Sequence, residues 1–342
     1  MSPDFNLTSY NTLALTSVAS FGIEVKSVDE LKDAFRFSHE KQLPFLPLGQ
    51  GSNVVLPGKL DAVVAVNRIL GREVVYEDDT QVHIKVGSGE NWHQFVAYAL
   101  EQGWFGLENL ALIPGCIGAA PVQNIGAYGV ELKDRFVELE ALEYVSGKLR
   151  VFSLDDCQFA YRDSVFKREC RNKVVITSVT VKLTKQPQLV LDYPALRNTF
   201  VASELPTVSP QQVFEAVCDI RSSKLPNPID LPNAGSFFKN PIITKAQWEG
   251  VSEKYPDVIF YPAGDQYKLA AGWLIEKLGW KGKRLGPVGM HEQQALVLIN
   301  YESATQSDVR KLAGRVAEDV KTHFGVALEI EPPVYNTDCT LA

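Results

Sequence analysis

Gly106-Leu-Glu-Asn-Leu-Ala-Leu-Ile-Pro-Gly-Cys-Ile-Gly-Ala-Ala-Pro-Val-Gln-Asn-Ile-Gly-Ala-Tyr-Gly-Val-Glu131 is the stretch on which the reading of this chain turns. From Gly106 to Val130 it carries one charge, Glu108, and five glycines among apolar side chains, so it reads as buried. Glycine permits close backbone approach and positive φ, and the free amides of such turns form concave seats for anions and polar ring edges. Two readings follow: a seat for a large flat ligand lying on backbone, or a core loop with glycines at its turns.

The surroundings bound the choice. A chain of 342 residues is longer than one core usually serves and predicts two or three domains. Its hydrophobic fraction of 45% is that of a globular protein, and no segment has the uninterrupted apolar length of a membrane span, so a soluble protein is expected. Met1-Ser-Pro-Asp-Phe-Asn lacks the basic flank and apolar core of a secretory signal, which predicts a cytoplasmic location. Five cysteines (Cys116, Cys157, Cys170, Cys218, Cys339) are odd in number and contain no Cys-x-x-Cys pair, against both a disulfide framework and a zinc site. His291-Glu292 lacks the second histidine of a metalloprotease helix, and no metal is expected. The net charge of −7 offers no field to nucleic acid or an anionic membrane, so an anionic ligand must meet local arginines and lysines.

Upstream of the central stretch, Ser27-x-x-Glu30 is a capping box for a helix over 27–39 that places Leu31, Ala34 and Phe35 on one face. Leu43 to Leu48 reads as a strand running into Gly49-Gln-Gly-Ser-Asn53, a turn able to offer amides to a pyrophosphate, although Val54 stands where the third glycine of a Rossmann fingerprint belongs. Val63–Val66 and Val82–Val86 read as strands and Asn91–Gln102 as a helix. Downstream, strands near Val137–Tyr144 and Lys173–Leu183 bracket Phe159–Lys167. Ser209-Pro-Gln-Gln212 opens another helix, which stops in Arg221-Ser-Ser-Lys224. Three prolines in Leu225–Pro232 mark a domain boundary. Beyond it are a helix near Lys268–Leu278, a strand at Ala295–Ile299 and a long helix with Val309, Leu312, Ala313, Val316, Ala317, Val320 and Phe324 on one face and Gly325 at its stop. A final strand is expected over Val326–Glu331.

Chemistry-bearing candidates are few. Arg162 could hold a carboxylate in two hydrogen bonds, or be a packing arginine. Arg221 and Lys224 could capture a phosphate or carboxylate, or complement a helix C-terminus. Ser236, in Gly235-Ser-Phe-Phe-Lys-Asn240, has no nucleophile elbow around it, but a placed hydroxyl can protonate a strongly basic carbanion. Glu329 and Glu331 alternate with Leu328 and Ile330 and share one face, and the pattern does not choose between them.

Taken together, Leu48–Asn53, Gly106–Gly115, Pro121–Glu131, Tyr161-Arg-Asp-Ser164, Asn233–Pro241 and Leu328-Glu-Ile-Glu331 resemble, in order and over nearly the whole chain, the bacterial UDP-N-acetylenolpyruvoylglucosamine reductase (MurB) family. The resemblance implies an α+β fold: an FAD-binding region of two α+β subdomains of the vanillyl-alcohol-oxidase kind, at 1–68 (joined by 328–342) and 69–224, and a smaller α/β substrate domain at 225–327. It implies non-covalent FAD, NADPH as co-substrate, and reduction of an enolpyruvyl sugar nucleotide in peptidoglycan precursor synthesis, by a cytoplasmic monomer with no nucleic-acid or membrane partner. Carried over by motif, Arg162 and Glu331 act at the substrate carboxylate and Ser236 gives a proton to the adjacent carbon. Tyr193, Lys224, Lys239, Asn240, Tyr261 and Gln294 are implied substrate contacts. Gly49, Gln50, Gly51, Ser52, Asn53, Ile113, Gly115, Ala119, Val122, Gly126 and Arg162 are implied cofactor contacts. Two departures stand out: Ala119-Ala120 where relatives carry serines, and Pro332-Pro333 after the key glutamate. The rival expectations are an oxygen-using flavin oxidase on the same scaffold and a non-catalytic nucleotide-sugar binding protein.

Overall fold

The computed structural model describes residues 1–201 and 205–342. The chain divides into two compact units, one of residues 1–5, 20–50 and 61–223, the other of residues 6–19, 51–60 and 224–342. Helices and sheets are interspersed throughout, giving an α+β protein.

The first unit is built on two sheets. One has four strands in the order Ser2–Asn6, Val18–Val25, Lys59–Asn67, Phe45–Leu48, the last two parallel. The Val28–Glu40 helix precedes Phe45–Leu48, with the Ser27 hydroxyl accepting from Glu30 N at 3.2 Å. Glu30 returns to Lys26 N rather than Ser27 N, so the box closes one residue early. Leu31 and Ala34 are buried and Phe35 packs beside them, as the periodicity predicts.

The second sheet is antiparallel, in the order Leu149–Ser153, Phe136–Glu143, Val174–Thr184, Gln81–Gly87, Arg72–Glu77. Val82, Ile84 and Val86 bury one face by strict alternation. They share a core with Trp92, Phe95, Val96 and Ala99 of the Trp92–Glu101 helix, which Asn91 caps by accepting from Gln94 N. Leu107, Leu110, Ala111, Ile117 and Ala120 of the central stretch enter the same core, as do Val213 and Val217 of the Pro210–Lys224 helix.

In the second unit a four-stranded antiparallel sheet runs Asn233–Ser236, Val297–Asn300, Val288–Met290, Arg284–Leu285, beside a three-stranded one of Ile242–Ile243, Gln266–Leu269 and Phe260–Ala263. The Gln306–Phe324 helix buries Val309, Leu312, Ala313, Val316, Val320 and Phe324 and ends at Gly325 with φ +68°. Leu13, Leu15 and Val55 belong to this core. The segment that carries the first two is tied in by Asn233 N to Thr12 O at 2.9 Å and Asn300 Nδ2 to Leu13 O at 2.8 Å.

The expected strand over Val326–Glu331 does not form. Those residues make a single antiparallel bridge, Phe238 opposite Ile330, with Lys239 N donating to Glu329 O and Glu331 N to Phe237 O, both at 2.9 Å. Pro332, Pro333 and Pro241 have no N–H to carry the ladder further.

Trp92 is 1% exposed, and its Nε1 donates to Leu110 O at 2.9 Å, tying a helix to the central stretch. Trp92→Phe keeps most of the ring but leaves a buried carbonyl without that partner, and urea unfolding of the first unit should show a loss of about 1–3 kcal/mol. An unchanged midpoint would mean that this bond does not hold the stretch in place.

Candidate active site

The central stretch is irregular: a 3-10 turn at Glu108–Leu110, another at Ile117–Gln123, and a two-residue hairpin pairing Gly126–Ala127 with Val130–Glu131. Buried backbone without a ladder needs side-chain partners. Both carboxylate oxygens of Glu108 accept from Gly106 N at 3.0 Å, and burial pushes this carboxyl up in spite of that bond and of Arg135. His93 Nδ1 accepts from Leu112 N at 3.0 Å, where Leu112 is held at φ +56°, and Arg221 Nε donates to Leu112 O at 3.2 Å. Asn124 donates to Glu131 Oε2 at 2.9 Å and accepts from Lys133 N at 3.0 Å. Ser164 Oγ donates to Val122 O at 2.6 Å and Arg162 Nη2 to Gly126 O at 2.9 Å.

Three guanidiniums sit on carbonyls of this stretch, since Arg135 Nε also donates to Gly106 O at 3.1 Å. Burial draws the Arg221 guanidinium below its ordinary value; the neighbouring Tyr128 hydroxyl and Cys218 thiol act against that, and the positive charge of Arg162 acts with it. Burial pushes the Tyr128 phenol up and Arg221 opposes it. A local excess of positive charge in a partly desolvated setting favours an anionic or electron-rich ligand.

The turn after Phe45–Leu48 contributes a backbone approach. A Cβ at Gly49 would lie 2.6 Å from Cys116 Sγ, and one at Gly51, whose φ is +62°, would lie 1.9 Å from Tyr10 O. Neither position accepts a side chain. Asn91 Nδ2 donates to Gln50 Oε1 at 3.3 Å. Burial pushes the Cys116 thiol up, against backbone hydrogen bonds from Ala119, Gln50 and Gly118, in keeping with a reduced structural cysteine.

Comparison with known proteins gives this geometry its context. A family model described as FAD binding domain matches residues 19–153, and one described as UDP-N-acetylenolpyruvoylglucosamine reductase, C-terminal domain, matches residues 227–335. A curated UDP-N-acetylenolpyruvoylglucosamine reductase from Bdellovibrio bacteriovorus is 49% identical over 327 residues, 96% of this chain and 97% of the relative. The chain belongs to the UDP-N-acetylenolpyruvoylglucosamine reductase family. A second such relative, from Burkholderia cenocepacia, is 47% identical over 333 residues, 96% of this chain and 95% of its own. The fold is that of the solved reductase from Thermus caldophilus, with a TM-score of 0.68 over 97% of each chain at 23% identity.

The residues present fit the FAD that the family model names. Gly49 faces Cys116 with no space for a Cβ, Ala119 is exposed at a 3-10 turn, and Arg162 is fixed on Gly126 O. Ile113, Gly115 and Val122 lie in the same stretch, Gly115 O accepting from Trp92 N. Gly49 and Gln50 fall in the first unit and Gly51, Ser52 and Asn53 in the second. Among the described residues no cluster of histidine, cysteine and carboxylate side chains could hold a metal ion.

Of the reaction residues inferred from sequence, Arg162 and Tyr193 lie in the first unit and Ser236, Lys239, Asn240, Tyr261, Gln294 and Glu331 in the second, with Lys224 opening the last segment of the second. The bridge at Phe238 and Ile330 puts Ser236 one residue from the carbonyl that holds Glu331 N. Lys239 is paired with Glu329, which separates the two alternating carboxylates that pattern left equivalent. Asn240 Oδ1 accepts from Ala271 N at 2.9 Å, capping the Ala271–Lys277 helix, and Gln294 Oε1 accepts from Leu296 N at 3.4 Å. The Lys268 ammonium lies 5.7 Å from the Tyr261 ring centroid. Sequence reading missed His93 and Asn109, which bond to backbone distant in sequence, and Tyr128, which meets the distant Tyr193 ring, so no motif announces them.

Two outcomes follow. Gly49→Ala overpacks against Cys116 and should cost roughly 1–3 kcal/mol together with flavin content, while adding Cys116→Ala should restore most of both; failure of that rescue would show that the contact is not what excludes a side chain. For His93, burial, with the charge of Arg221 acting in the same sense, holds the imidazole below its ordinary value. Its contribution to stability is therefore present above the unfolded value near 6.5 and lost as pH falls through the folded one. Denaturant midpoints between pH 7.5 and 5.5 should fall more steeply in the wild type than in His93→Asn, and equal slopes would remove His93 from the account.

Proposed function

We propose that this protein reduces the enolpyruvyl ether of UDP-N-acetylglucosamine to UDP-N-acetylmuramate, the reductive step of peptidoglycan precursor synthesis on which cell wall growth, cell shape and division depend. The observation that carries this reading is the near-full-length identity to reductases so named, in a chain that has Arg162, Ser236 and Glu331. FAD, when bound, supplies hydride to the terminal carbon of the enolpyruvyl double bond after being reduced by NADPH.

Gly49, Gln50, Gly51, Ser52 and Asn53 would hold the pyrophosphate, and the backbone of Ile113, Gly115, Ala119, Val122 and Gly126, with Arg162, the flavin end. Hydride addition leaves negative charge on the carbon beside the carboxylate, spread onto its oxygens. Arg162 would meet that charge with a fixed guanidinium, and Glu331, sharing a proton at the carboxylate, would support the dianionic form. Ser236 Oγ–H then gives its proton to the carbon, completing the saturated lactyl ether. A hydroxyl serves because its acceptor is so basic. Tyr193, Lys224, Lys239, Asn240, Tyr261 and Gln294 would hold the nucleotide and its phosphates. For Lys239 this requires exchange of its Glu329 partner for phosphate.

The same proposal takes 1–68 with 328–342 and 69–224 as the cofactor-binding parts and 225–327 as the substrate domain, in a cytoplasmic monomer. No helix among the described residues is long and apolar enough to cross a membrane.

The test separates the half-reactions. In Ser236→Ala, anaerobic bleaching of the flavin band by NADPH should proceed as in the wild type, while its return on adding the enolpyruvyl nucleotide should slow by roughly 10²–10⁴-fold. Parallel loss of both would refute the proton-donor role. Bleaching followed by return only in air would favour an oxidase.

A further inference from the structure

We propose that Asn109 and Tyr128 are positioning residues that dock the segment carrying Tyr193 onto the Gly126–Glu131 hairpin, so that occupancy of the cofactor cradle and placement of the substrate tyrosine are coupled. The inference deepens the proposed function and rests on its assignment of Tyr193 to the substrate.

Asn109 is 3% exposed and its amide nitrogen makes two bonds, to Tyr128 O at 2.9 Å and to Val190 O at 2.8 Å. Both of its hydrogens are spent joining those two segments. The Tyr128 ring stands edge-on to the Tyr193 ring, with centroids 5.3 Å apart at 78°. At Gly129 a Cβ would come within 3.4 Å of Val190 Cγ1, so the segments also touch through apolar surface. Tyr128 is at φ +48°, a conformation that a non-glycine residue keeps only when its surroundings impose it. Those surroundings are the two-residue hairpin turn, whose second residue Gly129 stands at φ +87°, and the Asn109 bond to the Tyr128 carbonyl.

The other end of the segment is held independently. Tyr193 O accepts from Leu196 N and Arg197 N at 2.9 Å, and Leu196 is fully buried in the core of the first unit. Residues 190–197 are therefore pinned at Val190 through Asn109 and at Leu196 through the core, and Tyr193 lies between. Leu189, Val190 and Leu191 also pack against that core, so releasing the Asn109 pin loosens one end and leaves the other held. Because the hairpin that receives Tyr193 also offers Gly126 to the cofactor, a ligand that orders the hairpin lowers the entropy still to be lost when Tyr193 closes on substrate. Linkage makes the effect reciprocal: substrate should tighten FAD by the factor by which FAD tightens substrate.

The experiment uses the full chain with and without FAD. Amide hydrogen exchange in 188–193 should quicken when FAD is removed from the wild type, and should already be fast in FAD-loaded Asn109→Ala, with exchange in the Trp92–Glu101 helix unchanged. The KM for the enolpyruvyl nucleotide should rise roughly tenfold in Asn109→Ala and Tyr128→Leu, with the rate of flavin reduction by NADPH unaltered. In a Tyr193→Ala background neither change should raise the KM further. Slow exchange in 188–193 in Asn109→Ala, or KM effects that add to those of Tyr193→Ala, would overturn the proposal. If Asn109→Ala fails to fold, Tyr128→Leu alone decides by the same exchange and additivity criteria. A Tyr193→Ala variant with normal KM would instead refute the substrate reading of Tyr193, and the exchange data would still judge the docking.

Discussion

Irregular backbone buried in a protein core has no ladder to satisfy its amides and carbonyls, and every group left unpaired there costs about 1–3 kcal/mol. Residues 106–131 are such a segment, and much of the first unit is arranged to meet that demand. Glu108 and Arg135 serve the two sides of Gly106, Trp92 serves Leu110, His93 and Arg221 serve the two sides of Leu112, Ser164 serves Val122, Arg162 serves Gly126 and Asn109 serves Tyr128. These side chains come from two helices, from two loops and from the stretch itself. Each holds one turn of backbone in a shape that its own dihedral preferences would not select.

The same economy recurs where chemistry is proposed. Arg162 both fixes Gly126 and brings charge near it, and Asn240 both caps the Ala271–Lys277 helix and stands among the proposed substrate contacts. A side chain anchored by one bond has lost most of its rotamer freedom before a ligand arrives, so less entropy remains to be lost on binding. Lys239 illustrates the alternative. Its ammonium is held by the exposed Glu329, an interaction that water screens and that a phosphate can replace.

The chain path adds a second level of organisation. Residues 6–19 and 51–60 leave the first unit to pack with residues 224–342, and Leu13, Leu15 and Val55 complete a core made chiefly of residues far downstream. Asn300 joins the parts, donating to Leu13 O at 2.8 Å while accepting from Ala304 N at 2.9 Å. The long segment begins at Lys224, just before the prolines of 225–232, while no such proline cluster flanks the two short ones. They carry no change in composition, and their apolar residues have no period longer than the segments themselves.

What the sequence determined by itself was local and periodic. Ser27 and Ser209 announced their helices, Val82-His-Ile-Lys-Val86 its buried face, Val309 to Phe324 its stripe, and Gly325 its stop, because caps and periods of 2 and 3.6 act between neighbours a few residues apart. The ordered set of motifs from Leu48 to Glu331 also sufficed to indicate the family, and glycines at 49 and 51 marked a turn with no room for side chains, against Cys116 Sγ and Tyr10 O. Tertiary structure alone decided which partners satisfy the central stretch, that Val326–Glu331 contributes one bridge instead of a strand, that Glu329 rather than Glu331 pairs with Lys239, and that Asn109 ties Tyr128 to the Tyr193 segment. The physical reason is common to all four. A hydrogen bond or ion pair between residues distant in sequence leaves no periodicity, and its partners are chosen by which surfaces the folded cores bring together.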